Sequence, residues 1–225
     1  MSDQYALVVG SSSGLGQAMT EYLLEENFSV IGASRSETYI DHENFLDFEV
    51  DITDEDSVKN LLNCIEVETS EIHLFINSAG YFDLSDLLDT DALSFQEHLK
   101  TYPLGAFHLL KYLSPLFIQG ETHLIHILSQ ASKEGFGGIS AYCSSQFALK
   151  GLIESVKKEW KERKLKFTNM ISGAIDTPMW EDISEDFDRA HMLEVDEFLH
   201  VFDMVVKSPA KVFFDEIRFK SNLGE

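Results

Sequence analysis

Three glycines near the start of the chain have a spacing that suits phosphate binding. A short apolar run, Tyr5–Val9, stops at Gly10, and Gly14 and Gly16 follow in the pattern G-x-x-x-G-x-G before an amphipathic helical segment. Such a turn lets the backbone approach a pyrophosphate, and the free N–H groups and positive dipole end of the helix attract its charge. The pattern predicts a dinucleotide site, although an ordinary turn into a helix has the same spacing.

Strand-like and helix-like segments alternate along the whole chain. The predicted strands are Tyr5–Val9, Phe28–Ala33, Phe45–Val50, Ile72–Ile76, His123–Leu128, Phe167–Ile171 and Val212–Phe219. The predicted helices are Gly16–Glu26, Asp54–Cys64, Asp91–Phe117 and Ser140–Arg163, with further helical material before the last strand. This alternation is typical of α/β proteins, and it predicts a single doubly wound Rossmann-type domain over residues 1–225, with a parallel sheet of about seven strands and helices on both faces.

Four further motifs follow the ends of predicted strands. They are Asp51-Ile52-Thr53, Asn77-Ser78-Ala79-Gly80, Ser129 with Tyr142 thirteen positions later, and Gly173-Ala174-Ile175-Asp176-Thr177-Pro178. Together with the glycine turn, their order and spacing resemble the short-chain dehydrogenase/reductase family over nearly the whole chain.

The resemblance implies that a nicotinamide dinucleotide lies across the carboxyl ends of the strands. Its pyrophosphate would lie over the glycine turn, which comprises Gly10, Ser12, Ser13, Gly14, Leu15 and Gly16. The other implied contacts are Asp51 and Ile52 at the adenine, Asn77, Ala79 and Gly80 at its ribose, and Gly173, Ile175 and Thr177 at the nicotinamide carboxamide. Two alternatives stay open, since Asp51 could instead cap the following helix and Thr177 could be a simple turn residue before Pro178.

The end of the second predicted strand, Gly32-Ala33-Ser34-Arg35-Ser36, bears on the choice between NAD and NADP. It lacks the acidic residue that would bind the ribose 2′-OH of NAD. Arg35 could instead hold a 2′-phosphate together with the Ser34 and Ser36 hydroxyls. Because Arg35 is one of only four arginines in an acidic chain, its position favours NADP(H) over NAD(H). The alternative is that Arg35 is a solvated surface charge.

The resemblance also assigns catalytic roles. In this family a tyrosine acts as acid or base and a serine polarises the substrate oxygen, which are the positions of Tyr142 and Ser129 here. A lysine four residues after the tyrosine normally lowers its pKa and binds the nicotinamide ribose, but Gln146 stands at that position. Its amide can bond ribose hydroxyls but supplies no positive charge. The asparagine that normally holds a water behind the lysine is replaced by Tyr102, followed by Pro103.

Composition excludes several classes of partner. The net charge of −22 argues against nucleic acid or an anionic membrane surface. No window approaches about eighteen uninterrupted apolar residues, so no membrane span is predicted. The first residues lack an export signal and the two cysteines form no C-x-x-C pair, which favours a cytoplasmic location. No metal site is predicted, because His123 and His126 lie three apart on opposite faces of a strand.

We therefore predict an NADP(H)-dependent short-chain oxidoreductase that transfers hydride to or from a small neutral carbonyl or alcohol. Its turnover would be slow, since the catalytic set is incomplete. The residues expected at the substrate mouth are aromatic or apolar: Tyr81, Phe82, Phe136, Met179 and Trp180. The alternative is a catalytically inactive NADP(H)-binding sensor or scaffold protein of the same fold. A homodimer or homotetramer is expected, because members of the resembled family pair their two long helices across a two-fold axis.

Overall fold

The fold is a seven-stranded parallel sheet covered by helices. The computed structural model describes residues 4–181, 183, 189–209 and 211–222. The strands are β1 Tyr5–Val9, β2 Ser29–Ser34, β3 Phe45–Glu49, β4 Leu74–Asn77, β5 His123–Ser129, β6 Lys166–Ser172 and β7 Glu216–Phe219, in the sheet order β3-β2-β1-β4-β5-β6-β7. Every pairing is parallel, which confirms the predicted fold class.

The helices divide between the two faces of the sheet. They are α1 Gly14–Glu25, α2 Glu55–Glu68, α3 Ala92–Leu99, α4 Gly105–Leu113, α5 Ser140–Glu159 and α6 Val195–Val206. Leu7 and Val9 of β1 pack into the core beneath α2, α4 and α5, whereas Ala6 and Val8 pack into the core beneath α1 and α6. Because side chains alternate along a strand and both faces are covered, the side chains of a central strand are buried on both faces and are mainly apolar.

The predicted long helix Asp91–Phe117 is interrupted. A π-helical turn, Lys100–Leu104, joins α3 to α4, and a 3₁₀ turn, Ser114–Leu116, follows α4. Pro103 lies inside the π-helical turn, where its ring nitrogen has no N–H to donate to the helical hydrogen-bond ladder. Helical turns nevertheless run without a gap from Ala92 to Leu116, so the predicted helical region is confirmed, and what the prediction missed is the π-helical turn that contains Tyr102.

Some predicted boundaries differ from the observed ones. The helix predicted over Asp54–Cys64 extends to Glu68, and two further elements end or begin elsewhere. The last strand covers only Glu216–Phe219 instead of Val212–Phe219, because the Val212 N–H bonds the Pro209 carbonyl at 2.7 Å in a local turn. The helix predicted over Ser140–Arg163 ends at Glu159 and continues as a 3₁₀ turn. Neither change affects the carboxyl ends of the central strands.

His126, in the middle of β5, is a buried titratable group with a predictable effect on stability. It is fully buried, and neither of its ring nitrogens has a hydrogen-bond partner among the described residues. The ring stacks on Phe167 and meets Phe75 edge-on. Burial lowers the pKa of His126 to about 3, so its ring stays neutral in the fold. The unfolded chain takes up the proton below about pH 6.5, so stability should fall as the pH drops through that value toward about 3.

We expect His126→Leu to reduce this acid sensitivity. The free energy of unfolding should fall by about 1–3 kcal/mol less between pH 7 and pH 4.5 in the variant than in the parent protein, since the extra proton of the unfolded state is gone. Urea unfolding at the two pH values measures the difference. His42→Leu, at an exposed position, is the control. An equal loss of stability in His126→Leu and the parent protein would show that His126 does not cause the sensitivity.

Candidate active site

A cavity of about 1030 Å³ opens along the carboxyl ends of the strands. Its lining includes all but one of the residues predicted for cofactor binding or catalysis: Gly10, Ser12, Ser13, Gly14, Leu15, Gly16, Ser34, Arg35, Ser36, Asp51, Ile52, Ala79, Gly80, Ser129, Tyr142, Gln146, Gly173, Ile175 and Thr177. Asn77 is the exception. It is the last residue of β4 and is buried between Val9 and His126, and the wall after it is formed by Ser78, Ala79 and Gly80.

The glycine turn after β1 has the shape that a pyrophosphate requires. Gly10 has a φ of 87°, which other residues rarely adopt. A Cβ atom at Gly16 would lie 1.8 Å from the Gly10 carbonyl oxygen. Only a glycine at position 16 therefore allows the helix to pack this closely against the turn. Ser13 caps α1 without a side-chain bond to the first-turn N–H groups, which leaves these donors for a ligand. The residues present therefore fit a dinucleotide phosphate.

The polar residues after β2 and β3 form the other end of the cavity. Ser34 Oγ donates a hydrogen bond to the Ser36 carbonyl at 2.6 Å, so the donors left in this loop are the exposed Arg35 guanidinium and the Ser36 hydroxyl. Asp51 Oδ1 accepts bonds from the backbone N and Oγ1 of Thr53 at 2.9 and 2.8 Å. The cap of α2 is Asp54 instead of Asp51.

Ser129 and Tyr142 are two hydroxyl-bearing residues in the lining of the cavity. Ser129 ends β5, and its Oγ accepts the Ala131 N–H at 3.1 Å, so its own proton remains free to donate. Tyr142 lies in the first turn of α5. Burial raises the pKa of Tyr142 to about 12, and hydrogen bonds from Ser129 and Tyr102 oppose that rise. At neutral pH Tyr142 is therefore a phenol, which can donate a proton.

Gln146 lies one helical turn after Tyr142 and is almost completely buried. Its Oε1 accepts the backbone N–H of Ser129 at 3.1 Å, which ties α5 to the end of β5. A lysine could not accept this bond, because an ammonium group has only donors. The amide oxygen of Gln146 thus already accepts a hydrogen bond from the protein. The amide N–H groups of Gln146 are the donors that could bind a ribose hydroxyl.

Tyr102 supplies a third hydroxyl group, which the sequence did not indicate. The Tyr102 hydroxyl donates to the Tyr81 carbonyl at 2.6 Å and accepts the Tyr81 N–H at 3.1 Å. Its ring is buried and meets the Tyr142 ring edge-on, with 5.5 Å between centroids. The residue at the position of the usual asparagine therefore has its aromatic ring against Tyr142 and its hydroxyl bonded to the Tyr81 backbone.

Comparison with known proteins agrees with this geometry. Residues 4–188 match the sequence model of the family described as short chain dehydrogenase. The chain belongs to the short-chain dehydrogenase family. Among the described residues of this short-chain dehydrogenase, no group of three or more His, Cys, Asp or Glu side chains is arranged to hold a metal ion, and no helix has the length and apolar character of a membrane span.

Several relatives of this short-chain dehydrogenase carry oxidoreductase names. An uncharacterized oxidoreductase of Staphylococcus epidermidis is 22% identical over 98% of both chains. The sepiapterin reductase of Chlorobaculum tepidum is 28% identical over 78% of this chain and 72% of that protein. Among solved structures, an alcohol dehydrogenase from Thermococcus sibiricus in complex with 5-hydroxy-NADP has a TM-score of 0.86 at 18% identity, covering 99% of this chain and 98% of that one. A short-chain dehydrogenase from Burkholderia cenocepacia in complex with NADP has a TM-score of 0.84 at 20% identity, covering 98% and 90%.

The cavity of this short-chain dehydrogenase has an aromatic wall beside Tyr142. Phe82 meets the Tyr142 ring edge-on at 5.1 Å and lies 5.1 Å from the Trp180 ring, and Trp180 Nε1 donates to the Ile175 carbonyl at 2.9 Å. The predicted mouth residues Tyr81, Phe136 and Met179 also line the cavity. Sequence reasoning missed other lining residues, and those with polar, charged or sulfur-containing side chains include Gln130, Glu134, His191, Met192, Lys220 and Ser221.

Proposed function

We propose that the protein is an NADP(H)-dependent oxidoreductase that acts on a small neutral carbonyl compound or the corresponding alcohol. The observation that carries the proposal is that Ser129 and Tyr142 line one cavity together with the glycine turn and the aromatic wall. A phosphate-binding turn on one side and an apolar mouth on the other suit a dinucleotide and a neutral substrate.

The preference for NADP(H) rests on the loop after β2. The part of this loop that lines the cavity is Ser34, Arg35 and Ser36, which contains a cation and no carboxylate, so Arg35 could bind a 2′-phosphate. The two solved structures from Thermococcus and Burkholderia, which hold 5-hydroxy-NADP and NADP, support the same choice. A 2′-phosphate needs this local cation, because the chain as a whole carries a charge of −22.

The mechanism follows from the protonation state of Tyr142. When bound, the reduced nicotinamide supplies the hydride. Ser129 donates a hydrogen bond to the substrate oxygen, and Tyr142 transfers its phenolic proton to that oxygen as the carbonyl carbon becomes an alcohol carbon. Tyr142 is left as a phenolate and recovers a proton from water. Because Tyr142 holds its proton over the neutral pH range, this site favours reduction over alcohol oxidation.

The proposal is tested by following NADPH consumption with a panel of aldehydes and ketones. The protein should be present at a concentration comparable to NADPH, so that even one turnover is visible. We expect oxidation of NADPH with at least one apolar carbonyl compound and a weaker response with NADH. Failure of every carbonyl, with NADPH shown to bind, would remove the enzyme function.

A second function is favoured by Gln146. No cation lies one helical turn after Tyr142, so the charge that usually lowers the pKa of the catalytic tyrosine is missing. A protein that only binds NADP(H), as a sensor or scaffold, does not need a tyrosine of lowered pKa. The two functions are distinguished by the same panel together with a binding titration. Binding without turnover supports the sensor, and binding with turnover supports the enzyme.

We also propose that the protein is a homodimer or homotetramer. Two large apolar side chains, Phe107 of α4 and Phe147 of α5, are 42% and 48% exposed, on helices that cover the same face of the sheet. Exposed aromatic groups on adjacent helices are suited to pairing with a second copy.

We expect sedimentation at physiological salt to show a species of two or four times 25.5 kDa. Phe147→Glu should convert it to the monomer, because a charge would be buried at the contact. Tyr39→Glu, which changes an 86% exposed residue after β2, is the control and should leave the assembly intact. A parent protein that sediments only at 25.5 kDa contradicts the proposal.

A further inference from the structure

The loop that carries Arg35 is held at both of its ends. Ser34 and Thr38 are buried, with exposures of 6% and 5%, whereas the three residues between them, Arg35, Ser36 and Glu37, are exposed. At the first end the Ser34 hydroxyl donates to the Ser36 carbonyl at 2.6 Å. Because only three residues lie between the two buried ends, the conformation of the loop depends on how each end is fixed.

Thr38 fixes the second end through hydrogen bonds to two other elements. Its backbone N–H donates to Asp47 Oδ2 on β3 at 2.8 Å. Its Oγ1 lies 3.0 Å from Ser11 Oγ in the glycine turn, and the two hydroxyls share a hydrogen bond. Ser11 is fully buried. These three residues, which we call the Thr38 anchor, therefore join the Arg35 loop to the glycine turn on one side and to β3 on the other.

Gly32 of β2 leaves the space that the Thr38 anchor occupies. Gly32 is in register with Asp47 on the neighbouring strand. A Cβ atom at Gly32 would lie 2.8 Å from Ser11 Oγ and 2.8 Å from the Phe45 ring. The other carboxylate oxygen of Asp47 is buried and has no hydrogen-bond partner among the described residues. The bond from the Thr38 N–H is thus the interaction that compensates for the burial of this carboxylate.

The Thr38 anchor determines which charge of the loop lies at the cavity. Ser34, Arg35 and Ser36 line the cavity, whereas Glu37, the residue before Thr38, is absent from its lining. A guanidinium at this position suits a 2′-phosphate, and a carboxylate suits the 2′-OH of a cofactor without that phosphate. A small displacement of the loop would therefore change the cofactor that it favours.

We propose that Thr38 is a positioning residue for Arg35, and that its hydrogen bonds to Ser11 and Asp47 keep the guanidinium, and not the Glu37 carboxylate, at the cavity. This inference rests on the proposed preference for NADP(H), because it names the residue that holds the selecting cation in place. It does not depend on turnover. A loop that is already ordered binds a phosphate with a smaller loss of conformational entropy than a loose one.

The preference for NADPH can be measured as the dissociation constant of NADH divided by that of NADPH, by fluorescence titration. Thr38→Val keeps the shape of the side chain and removes the hydroxyl, whereas Thr38→Ser keeps the hydroxyl. We expect this ratio to be about three- to tenfold lower in Thr38→Val than in Thr38→Ser, since one hydrogen bond of the anchor is lost. A general loss of stability would affect both cofactors and leave the ratio unchanged.

Thr122→Val is the matched control for loss of a buried threonine hydroxyl. Thr122 is fully buried, its hydroxyl donates to the Ile72 carbonyl, and it lies just before the amino end of β5, away from the cavity. Its replacement should leave the ratio of the two dissociation constants as in the parent protein.

A second pair of variants tests the other bond of the anchor. Asp47→Asn keeps an acceptor for the Thr38 N–H, whereas Asp47→Ala has none. Both variants remove the same negative charge, so a difference between them reports the hydrogen bond and not the electrostatic field. The ratio should be about three- to tenfold lower in Asp47→Ala than in Asp47→Asn. This pair decides the question if Thr38→Val does not fold.

Equal ratios in folded Thr38→Val and Thr38→Ser, in a protein that prefers NADPH, would overturn the proposal, and so would equal ratios in the two Asp47 variants. A parent protein that binds NADH as tightly as NADPH would instead refute the proposed cofactor preference, and with it any role of Thr38 in that preference. The two failures are distinguishable, because only the second appears in the parent protein.

Discussion

Tyr142→Phe is expected to lower kcat for carbonyl reduction by about 10²–10⁴-fold, the range for loss of a positioned general acid. Only the phenolic proton is removed, and the aromatic contacts of the ring with Phe82 and Tyr102 are kept. The dissociation constant of NADPH should change less than about threefold, since the predicted phosphate and adenosine contacts lie elsewhere in the cavity. Steady-state or single-turnover kinetics and a fluorescence titration of NADPH measure the two quantities.

Cys143→Ala is the matched control for this substitution. Cys143 is the next residue on α5 and is buried, so the variant perturbs the same helical turn without touching the proposed proton donor. Its kcat should stay close to that of the parent protein. Equal rates for Tyr142→Phe and the parent, on a carbonyl that the parent reduces, would show that the proton comes from another group.

Arg35→Ala is expected to weaken NADPH binding by about 10–150-fold, equivalent to about 1.5–3 kcal/mol for a charge-assisted bond to phosphate. The affinity for NADH should hardly change, because NADH has no 2′-phosphate. The Ser36 hydroxyl would remain as a donor, but the Ser34 proton is held by the Ser36 carbonyl and cannot compensate. Calorimetric or fluorescence titration of both cofactors measures the two affinities.

The control for Arg35→Ala is a cation far from the cavity. Removal of any positive charge from a chain of charge −22 makes the overall field less favourable to a phosphate. Lys59→Ala, on α2 and paired with Glu55 and Asp56, measures that general effect and should weaken NADPH binding only slightly. A parent protein that binds NADH as tightly as NADPH would show that Arg35 does not select the cofactor.

The sheet could be predicted from the sequence because buried parallel strands are recognised from the apolar residues within each strand. A strand that is covered on both faces is buried along its length and mainly apolar, and β1, β4 and β5 are such runs between turn or helix signals, with His123 and His126 as buried polar exceptions in β5. The sequence also contains a signal for the π-helical turn that follows α3, namely Pro103. The hydrophobic periodicity on both sides of Pro103 concealed it, because an amphipathic pattern persists through a π-helical turn.

Site residues could be predicted from the sequence where they belong to a motif that directly follows a strand. They could not be predicted where contacts between distant segments bring a side chain to the cavity. The glycine turn and Arg35 reach the cavity because each comes directly after a strand at its carboxyl edge. Asn77 is still within β4, so the pleat and not the motif sets which way it faces. Lys220 reaches the cavity because β7 pairs with β6, and the Tyr102 hydroxyl is bound by the Tyr81 backbone. No local pattern encodes either contact.

The most direct test of the account is isotope transfer from NADPH deuterated at the reactive carbon of the nicotinamide. The protein is incubated with this cofactor and a pooled set of apolar aldehydes and ketones, and the alcohols are analysed by mass spectrometry. We predict at least one alcohol that carries a single deuterium with the parent protein, and far less of it with Tyr142→Phe. The absence of any deuterated alcohol, with the protein saturated by NADPH, would contradict the proposed hydride transfer.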